Sequence, residues 1–390
     1  MHSDLYGFTR AFFKGGSVMK FSIVQKSLLD GLQKVSGVVP SKSPTPVLEN
    51  ILFELGEKEL QITGTDLEVS VTTRVLPKRI ERTGAVAVPA RVLTEMIRSL
   101  PDIPIEFELD DNNRIAITTD QGFYKVSGIS KDNYPEIASL KDDHTVRIKN
   151  EKLLRMLTKT IFAVSADELR PALMGVFIQL MGDEFRMVAT DGHRLSKILD
   201  KNFPPIETPI KMIVPPKAVQ IALKHLTEEG TTELRMDDRG LSLAFGNTTL
   251  FTRLVEGQYP DYERVIPRDN QKTLTVNKSL LLSTVKRVSL FSSALTHQVR
   301  FSLSEGKLAV FSEDADMGGE AREELGVEYH EEPMEIGYNA QYLMDILRHV
   351  DTEDAVFSLK SPINAALVSP AQQEEDEDFL MLIMPIKLSA

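Results

Sequence analysis

Apolar positions along the 390-residue chain follow two alternating periods, and the pattern recurs three times. Three stretches carry a Leu-Leu pair in the same helical register: KSLLDGLQKVSG from Lys26, EKLLRMLTKTIF from Glu151 and KSLLLSTVKRVS from Lys278. A second apolar stretch with the same spacing follows each of them, in VPARVLTEMIRSL, VPPKAVQIALKHL and YNAQYLMDILRHV. Apolar residues spaced by three and four positions predict amphipathic helices, so each repeat is expected to hold two.

Between the helical stretches the apolar period changes to two. KELQITGTDLEVSV, DEFRMVATDGHRLS and GKLAVFSEDADMGG alternate apolar and polar residues after a turn, which predicts half-buried strands. The repeats keep a common length, because Pro135, Pro260 and Pro385 are each separated by 125 residues. Solenoid repeats are much shorter, so a period of this length indicates full domains.

The pattern therefore predicts an α+β chain of three similar domains, each with two helices and antiparallel sheets. We place the first domain at residues 19–143, the second at 144–269 and the third at 270–390. Residues 1–18 lack the apolar segment of a signal peptide, and we expect them to form a disordered N-terminal extension.

Charge is distributed unevenly over these elements. The formal net charge is −12, yet the six helical segments together carry +9, so the remainder carries −21. One interpretation is that helices simply accommodate Lys and Arg well. The other is a basic, helix-lined face that attracts a polyanion while the strand-built remainder repels it. The sequence shows no base-reading motif, so a nucleic acid would be bound through its phosphates without sequence preference.

Composition excludes several classes of chemistry. The chain has no cysteine, which rules out disulfides, thiolate zinc sites and cysteine nucleophiles, and we expect a cytoplasmic location. No apolar run reaches the roughly 20 residues of a membrane span, so no membrane contact is predicted. The acidic run at 372–379 lacks the spacing of a calcium loop and is interpreted as a solvated loop. We predict no metal and no cofactor.

The stretch VATDGHRLS combines residue types that are common in active sites. A hydrolase using Asp191 and His193 is one hypothesis, since a general base must have a positioned partner. The repeats argue against it, because the corresponding Asp66 and Asp314 have no neighbouring histidine. No nucleophile motif lies nearby, and no catalytic residue is predicted.

Several stretches together resemble one family. MKFSIVQKSLLDGLQKVSG, ITGTDLEVSV, VPARVL, ATDGHRLS, GQYPDYERVIP and the terminal MPIKL are similar to the bacterial DNA polymerase III beta subunit, the sliding clamp, from Met19 to Leu388. The resemblance implies a head-to-tail homodimer closed into a ring, with helices lining the hole and strands outside. It implies a processivity factor in DNA replication that encircles double-stranded DNA without sequence specificity and has no catalysis of its own. The alternative is an interaction scaffold that never encircles DNA.

The resemblance also implies two kinds of site. A groove between the second and third domains would bind short peptides from the DNA polymerase III alpha subunit, the clamp loader, other DNA polymerases and repair proteins. It would consist of Leu173, Thr190, Gly192, His193, Arg194, Leu195, Pro260, Val265, Leu382, Met384, Pro385, Ile386, Lys387 and Leu388. Two further residues, Ser389 and Ala390, extend beyond the family's usual end. DNA contacts are expected at Lys42 and Arg91. A third contact of the family falls at Asp167, an acid that would repel phosphate, and the sequence leaves open whether that loop touches DNA.

Overall fold

The computed structural model describes residues 17–138, 140, 144–314 and 318–388, so most of the predicted N-terminal extension lies outside the described residues. Six α-helices lie within these ranges, two for each repeat, which confirms the predicted helices. They are α1 (Gln25–Ser36), α2 (Ala90–Ser99), α3 (Asn150–Ile161), α4 (Pro216–His225), α5 (Lys278–Val288) and α6 (Ala340–His349).

The strands of the same ranges pair antiparallel throughout. They are β1 (Met19–Val24), β2 (Asn50–Leu55), β3 (Leu60–Thr65), β4 (Val69–Val75), β5 (Arg79–Arg82), β6 (Gly84–Pro89), β7 (Pro104–Leu109), β8 (Arg114–Thr118), β9 (Phe123–Ser127), β10 (His144–Lys149), β11 (Val176–Gly182), β12 (Glu184–Thr190), β13 (Arg194–Asp200), β14 (Ile206–Val214), β15 (Thr231–Met236), β16 (Gly240–Phe245), β17 (Thr248–Arg253), β18 (Lys272–Asn277), β19 (Gln298–Ser304), β20 (Lys307–Asp314), β21 (Gly319–Gly326), β22 (Met334–Asn339), β23 (Asp354–Leu359), β24 (Ala366–Pro370) and β25 (Glu377–Ile383).

The chain divides into two compact units. Unit 1 combines Met1–Leu154 with Lys217–Leu254, and unit 2 combines Arg155–Pro216 with Val255–Ala390. Unit 1 holds a five-stranded sheet, β5-β1-β7-β8-β9, and an eight-stranded sheet, β10-β15-β16-β17-β4-β3-β2-β6. Unit 2 holds an eight-stranded sheet, β14-β11-β12-β13-β25-β24-β23-β18, and a four-stranded sheet, β21-β20-β19-β22.

Each eight-stranded sheet takes four strands from one sequence repeat and four from the next. In unit 1 the two halves meet where β17 pairs with β4, with Thr248 opposite Thr73. In unit 2 they meet where β13 pairs with β25, with Arg194 opposite Ile383. The compact units therefore cut across the second repeat. The ranges 19–143, 144–269 and 270–390 follow the sequence repeats and stay a prediction of the domain boundaries.

The helices form because each buries one apolar stripe. In α2, Ala90, Leu93 and Ile97 are buried and lie on one face, three and four residues apart. The helix that matters most for the site, α6, has a well-formed start. The Asn339 side chain accepts hydrogen bonds from the backbone N–H groups of Gln341 and Tyr342, which have no partner inside the helix.

Candidate partner-binding groove

The Thr190–Arg194 turn of unit 2 joins β12 to β13 and is held by its own side chains. The Asp191 carboxylate accepts hydrogen bonds from the backbone N–H groups of His193 and Arg194, both at 2.9 Å. The Thr190 hydroxyl donates to the Arg194 carbonyl at 2.6 Å and accepts from the Gly192 N–H. Gly192 has a φ of +89°, which glycine adopts without strain. Asp191 and Thr190 therefore shape the turn.

Arg194 is buried, and its guanidinium forms ion pairs and a hydrogen bond with other residues of unit 2. It contacts the Asp191 carboxylate at 3.1 Å and the Asp345 carboxylate of α6 at 2.6 Å, and it donates to the Phe162 carbonyl at 2.7 Å. The guanidinium carbon lies 4.6 Å from the centroid of the Tyr342 ring and 5.4 Å from that of the Phe162 ring. Arg194 therefore fastens the turn to α6 and to the segment after α3, and its charged end is not free for a ligand.

His193 is exposed at the tip of the same turn. Its ring lies 6.1 Å from the Tyr342 ring in a stacked orientation, and its carbonyl accepts the Met384 N–H at 2.8 Å. The Asp191 carboxylate binds backbone N–H groups and Arg194, so it is not placed to orient the imidazole as a general base. This geometry presents His193 as a surface side chain against an aromatic ring.

Beside the turn lies an apolar cluster that gathers residues distant in sequence. Leu195 of β13, Leu382 of β25 and Leu173 are buried in it, together with Phe177 and Tyr259, whose rings stack at 4.5 Å. Burial raises the pKa of Tyr259, which keeps the ring neutral.

Three exposed apolar side chains lie within two residues of members of this cluster along the chain. Val265 is 57% exposed, Met384 is 42% exposed and Pro260 is exposed. The buried leucines thus form the base of a candidate groove, and these three side chains are available to a ligand.

The segment after β25 is held by a strand of the neighbouring sheet in unit 2. The Ile386 N–H donates to the Gly337 carbonyl at 2.8 Å, and a β-bridge joins the two residues. A side chain at position 337 would collide with Leu388, since an added Cβ would lie 2.7 Å from its Cδ2. Pro385 is half-buried and Lys387 is exposed. Ser389 and Ala390 lie outside the described residues.

Four side chains of the groove wall were missed by the sequence prediction: Phe162, Arg170, Tyr342 and Asp345. Arg170 pairs with Asp167 at 2.8 Å and donates to the Asp191 carbonyl at 3.1 Å. The Arg170 guanidinium lowers the pKa of Asp167. Tyr342 and Asp345 lie on successive turns of α6, a spacing that the sequence displays without indicating the contact.

The first repeat contains the same turn with different side chains. Asp66 accepts the N–H groups of Glu68 and Val69, and Thr65 donates to the Val69 carbonyl. Leu67 has a φ of +79°, close to that of Gly192, and Arg253 donates its N–H to the Glu68 carbonyl as Met384 does to His193. The backbone is thus repeated, and Glu68 and Arg253 of unit 1 stand where unit 2 has His193 and Met384.

The predicted DNA contacts lie in unit 1. Lys42 is exposed in the loop between α1 and β2. Arg91 is on the first turn of α2, with its side chain 80% exposed and paired with Glu95 at 3.1 Å. An exposed pair of this kind stabilises weakly, so Arg91 can exchange its partner for a phosphate.

Among the residues that the structure describes, no group of three or more His, Cys, Asp or Glu side chains is arranged to hold a metal ion. Within the same ranges no helix is long and apolar enough to cross a membrane.

Comparison with known proteins identifies the class. Models of the N-terminal, central and C-terminal domains of the DNA polymerase III beta subunit match residues 19–138, 147–261 and 263–387. Three such domains with six helices and antiparallel sheets define a clamp fold. The chain belongs to the DNA polymerase III beta subunit family, the beta sliding clamps of DNA replication, whose members are accessory subunits of the polymerase.

Individual relatives match over nearly their whole length. The beta sliding clamp of Pseudomonas aeruginosa is 32% identical over 373 residues, covering 95% of this chain and all of the relative. The crystal structure of a P. aeruginosa sliding clamp bound to griselimycin superposes with a TM-score of 0.91 at 31% identity, over 96% of this chain and 100% of that chain. The clamp of Bartonella birtlesii bound to griselimycin gives 0.90 at 30% identity, over 95% and 100%.

Proposed function

We propose that two copies of this chain close head to tail into a ring around duplex DNA, and that the ring tethers the replicative polymerase as a processivity factor. The carrying observation is the pairing of half-sheets. Each repeat builds two half-sheets, and the β17–β4 and β13–β25 pairs each join a half-sheet of one repeat to a half-sheet of the repeat before it. Two half-sheets of the described ranges have no such partner: β1-β7-β8-β9 of the first repeat and β21-β20-β19-β22 of the third. Their unpaired edge strands are β9, which corresponds to β17, and β21, which corresponds to β4.

The leftover edges have matching positions in the repeat. β9 corresponds to β17 and β25, and β21 corresponds to β4 and β13, so pairing β9 of one copy with β21 of the other continues the same rule. Such a head-to-tail contact uses different surfaces on the two copies, and it forms a closed ring when the rotation between copies closes. Pairing also removes exposed strand edges, which otherwise favour aggregation.

Side chains beside β21 support a contact there. Leu290 is 79% exposed and Phe291 is 43% exposed, on a turn that contacts β21. The Phe291 ring occupies the space beside Gly319 at the start of β21, where an added Cβ would lie 3.2 Å from it. Phe123 and Tyr124 of β9 are half-buried in the single chain. Large apolar side chains at an unpaired edge are typical of an interface.

Binding to DNA would rely on few phosphate contacts. Lys42 and Arg91 are exposed cations, and the helical segments carry a net positive charge although the chain as a whole is negative. Contacts to phosphates carry no sequence information, and a tight grip would prevent sliding. Enclosure within a ring supplies the retention that such weak contacts lack.

The groove of unit 2 would bind the partners. A short peptide with apolar end residues fits a base of buried leucines and a rim of Val265, Met384 and Pro260, with His193 beside Tyr342 at one wall. The partners proposed are the DNA polymerase III alpha subunit, the clamp loader, and other polymerases and repair proteins that carry such peptides. The protein itself would hold these partners without catalysing a reaction.

The test is topological. The protein is loaded onto nicked circular DNA by a bacterial clamp loader, and its retention is measured before and after the circle is cut once. A ring is retained on the circle and slides off the free ends after cutting. Equal retention on both forms would contradict encirclement and support the interaction scaffold that never encloses DNA.

A further inference from the structure

The two joins between half-sheets within the chain have the same residue register. In unit 1, Ser70 of β4 lies opposite Phe251 of β17. In unit 2, Leu195 of β13 lies opposite Leu382 of β25. Ser70 and Leu195 correspond, because each lies opposite the threonine of its repeat's Thr-Asp pair across the hairpin. The repeat therefore specifies which residues meet at a join, in addition to which strands.

The position of β9 at such a join can be read from a backbone hydrogen bond that all three repeats share. In each repeat one N–H donates to the carbonyl of the residue three before the second helix: Ile129, Val255 and Ile386. Phe251 and Leu382 each lie four residues before the donor of their repeat, and in β9 that position is Lys125. Lys125 is therefore the β9 residue that corresponds to both.

The position of β21 follows from its hairpin with β20. Glu320 lies opposite Glu313, and Glu313 directly precedes that repeat's aspartate. Glu320 is therefore the β21 residue that corresponds to those of β4 and β13. When β9 of one copy joins β21 of another in the register of the internal joins, Lys125 lies opposite Glu320. Two residues along, Phe123 lies opposite Arg322.

We propose that the ring closes in this register and that two contacts on one face of the joined sheet make the interface specific. Lys125 of one copy pairs with Glu320 of the other. The Arg322 guanidinium lies between Phe311 of its own chain and Phe123 of the second copy. The inference rests on the proposed ring and adds to it the residues that determine how the two copies meet.

The single chain already contains most of the aromatic contact. The Arg322 guanidinium carbon lies 5.8 Å from the centroid of the Phe311 ring, and the Arg300 guanidinium, on the next strand, lies 5.7 Å from it. On β9, the Lys125 ammonium lies 5.3 Å from the centroid of the Phe123 ring, so these two side chains share a face. Joining the strands extends a row of alternating rings and cations by one ring, and such contacts are favourable.

Side chains on the opposite face are complementary in size. Tyr124 and Val126 of β9 point away from the charged residues, because successive side chains of a strand alternate. The register places Tyr124 opposite Ala321 and Val126 opposite Gly319. The Phe291 ring lies beside Gly319 in the same chain, so Val126 would meet an apolar side chain there. Each large side chain of β9 thus faces a small residue of β21.

Other registers are disfavoured by the same residues. A slip of one residue turns every side chain of β9 to the opposite face. A slip of two residues in one direction places Lys125 opposite Arg322, and like charges directly opposite each other are destabilising. A slip of two in the other direction places Glu320 opposite Phe123. Charges on a strand edge also prevent aggregation, but that role does not require this matched order.

The first test is disulfide trapping, for which the chain offers a clean background because it has no cysteine. The variants Lys125→Cys/Glu320→Cys and Tyr124→Cys/Ala321→Cys should form covalent dimers on mild oxidation. Opposite residues in antiparallel strands have Cα atoms about 4.5 or 5.5 Å apart, which a disulfide can span. The matched control Lys125→Cys/Arg322→Cys is displaced by two residues and should not form one.

Sedimentation of the unmodified chain separates the two ways to fail. A dimer that is trapped only through the displaced pair, or through neither opposite pair, would overturn the register and leave the ring standing. A monomeric chain would overturn the ring and this inference together.

The second test measures the side-chain contacts. Lys125→Glu places two acids opposite each other at both junctions of the ring, so the dimer dissociation constant should rise about tenfold. Lys125→Glu/Glu320→Lys restores opposite charges and should return it to within about threefold of the original. Arg322→Gln should weaken the dimer about fivefold, and much less in a Phe123→Ala background that lacks the ring. Additive losses in both double variants would overturn the proposed contacts.

Discussion

Replacing Asp345 by Asn tests whether Arg194 holds the groove wall in place or contacts the ligand. Asn keeps the size of the side chain and removes its charge, so the Arg194 guanidinium loses its 2.6 Å partner on α6. Asp345 also pairs with Arg348 at 2.8 Å, an exposed contact that contributes little. The perturbation therefore falls mainly on the link between the Thr190–Arg194 turn and α6.

The size of the effect follows from burial. Removing one partner of a fully buried ion pair costs about 3–5 kcal/mol. The Asp345 side chain is 32% exposed, and Arg194 keeps Asp191 and the Phe162 carbonyl. The expected loss is therefore about 1–2 kcal/mol. At 1.4 kcal/mol per factor of ten, backbone amides of the turn should exchange with solvent about tenfold faster, because the turn opens more often.

The assay is hydrogen exchange of peptides covering residues 190–196, followed by mass spectrometry, with peptide affinity measured in parallel by fluorescence polarisation. Because the turn remains mostly closed, affinity should change by less than about threefold. Arg348→Ala is the matched control and should leave exchange in the turn nearly unchanged. Unaltered exchange together with loss of peptide binding would refute the positioning role and indicate that Arg194 or Asp345 contacts the peptide directly.

Three other predictions concern the groove, the interface and pH. Truncation before Met384 should weaken peptide binding more than tenfold, as measured by fluorescence polarisation. The dimer and its retention on DNA should be preserved, because β25 ends at Ile383 and stays intact. If the truncated protein were a monomer, the placement of the groove would be wrong. Leu290→Lys should shift the dimer to monomer in sedimentation, whereas Leu169→Lys, also exposed, should not. Burial lowers the pKa of His349 below its ordinary value near 6.5, so its neutral form stabilises the fold above that pH and the benefit is lost below it. In His349→Phe, which can keep the stack on Phe162, the thermal midpoint should fall less between about pH 7.5 and 5.5 than in the unchanged protein. If the midpoint falls equally in both, other titrating groups cause the loss of stability.

Some features of the fold and site could be predicted from the sequence because they depend only on residues that are neighbours in the chain. The apolar spacing around Leu28, Leu153 and Leu280 predicts helices, since it alone determines which face can be buried. The Thr-Asp pair that recurs in the first two repeats also acts locally, because each Asp binds backbone groups two and three residues on. The groove residues were reached through the family resemblance and could not be derived from spacing.

Other features depend on contacts between distant parts of the chain. Arg194 and Asp345 are 151 residues apart, and nothing in either stretch shows that they form an ion pair. The absence of a side chain at Gly337 makes room for Leu388, a contact that only the folded structure shows. The Lys34 and Lys159 positions look alike in sequence, yet one faces an open cleft and the other is neutralised by Asp351.

The sequence by itself determined the threefold repeat, the six helices, the alternating strands and the excess of positive charge on the helices. These follow from periodicity and composition, which are properties of neighbouring residues. The tertiary structure alone decided that half-sheets of successive repeats join at β17–β4 and β13–β25. It also decided that the Arg194 side chain is buried in internal contacts, whereas His193, Val265 and Met384 are exposed to solvent. Strand pairing and burial depend on which distant surfaces meet, and no local pattern encodes that choice.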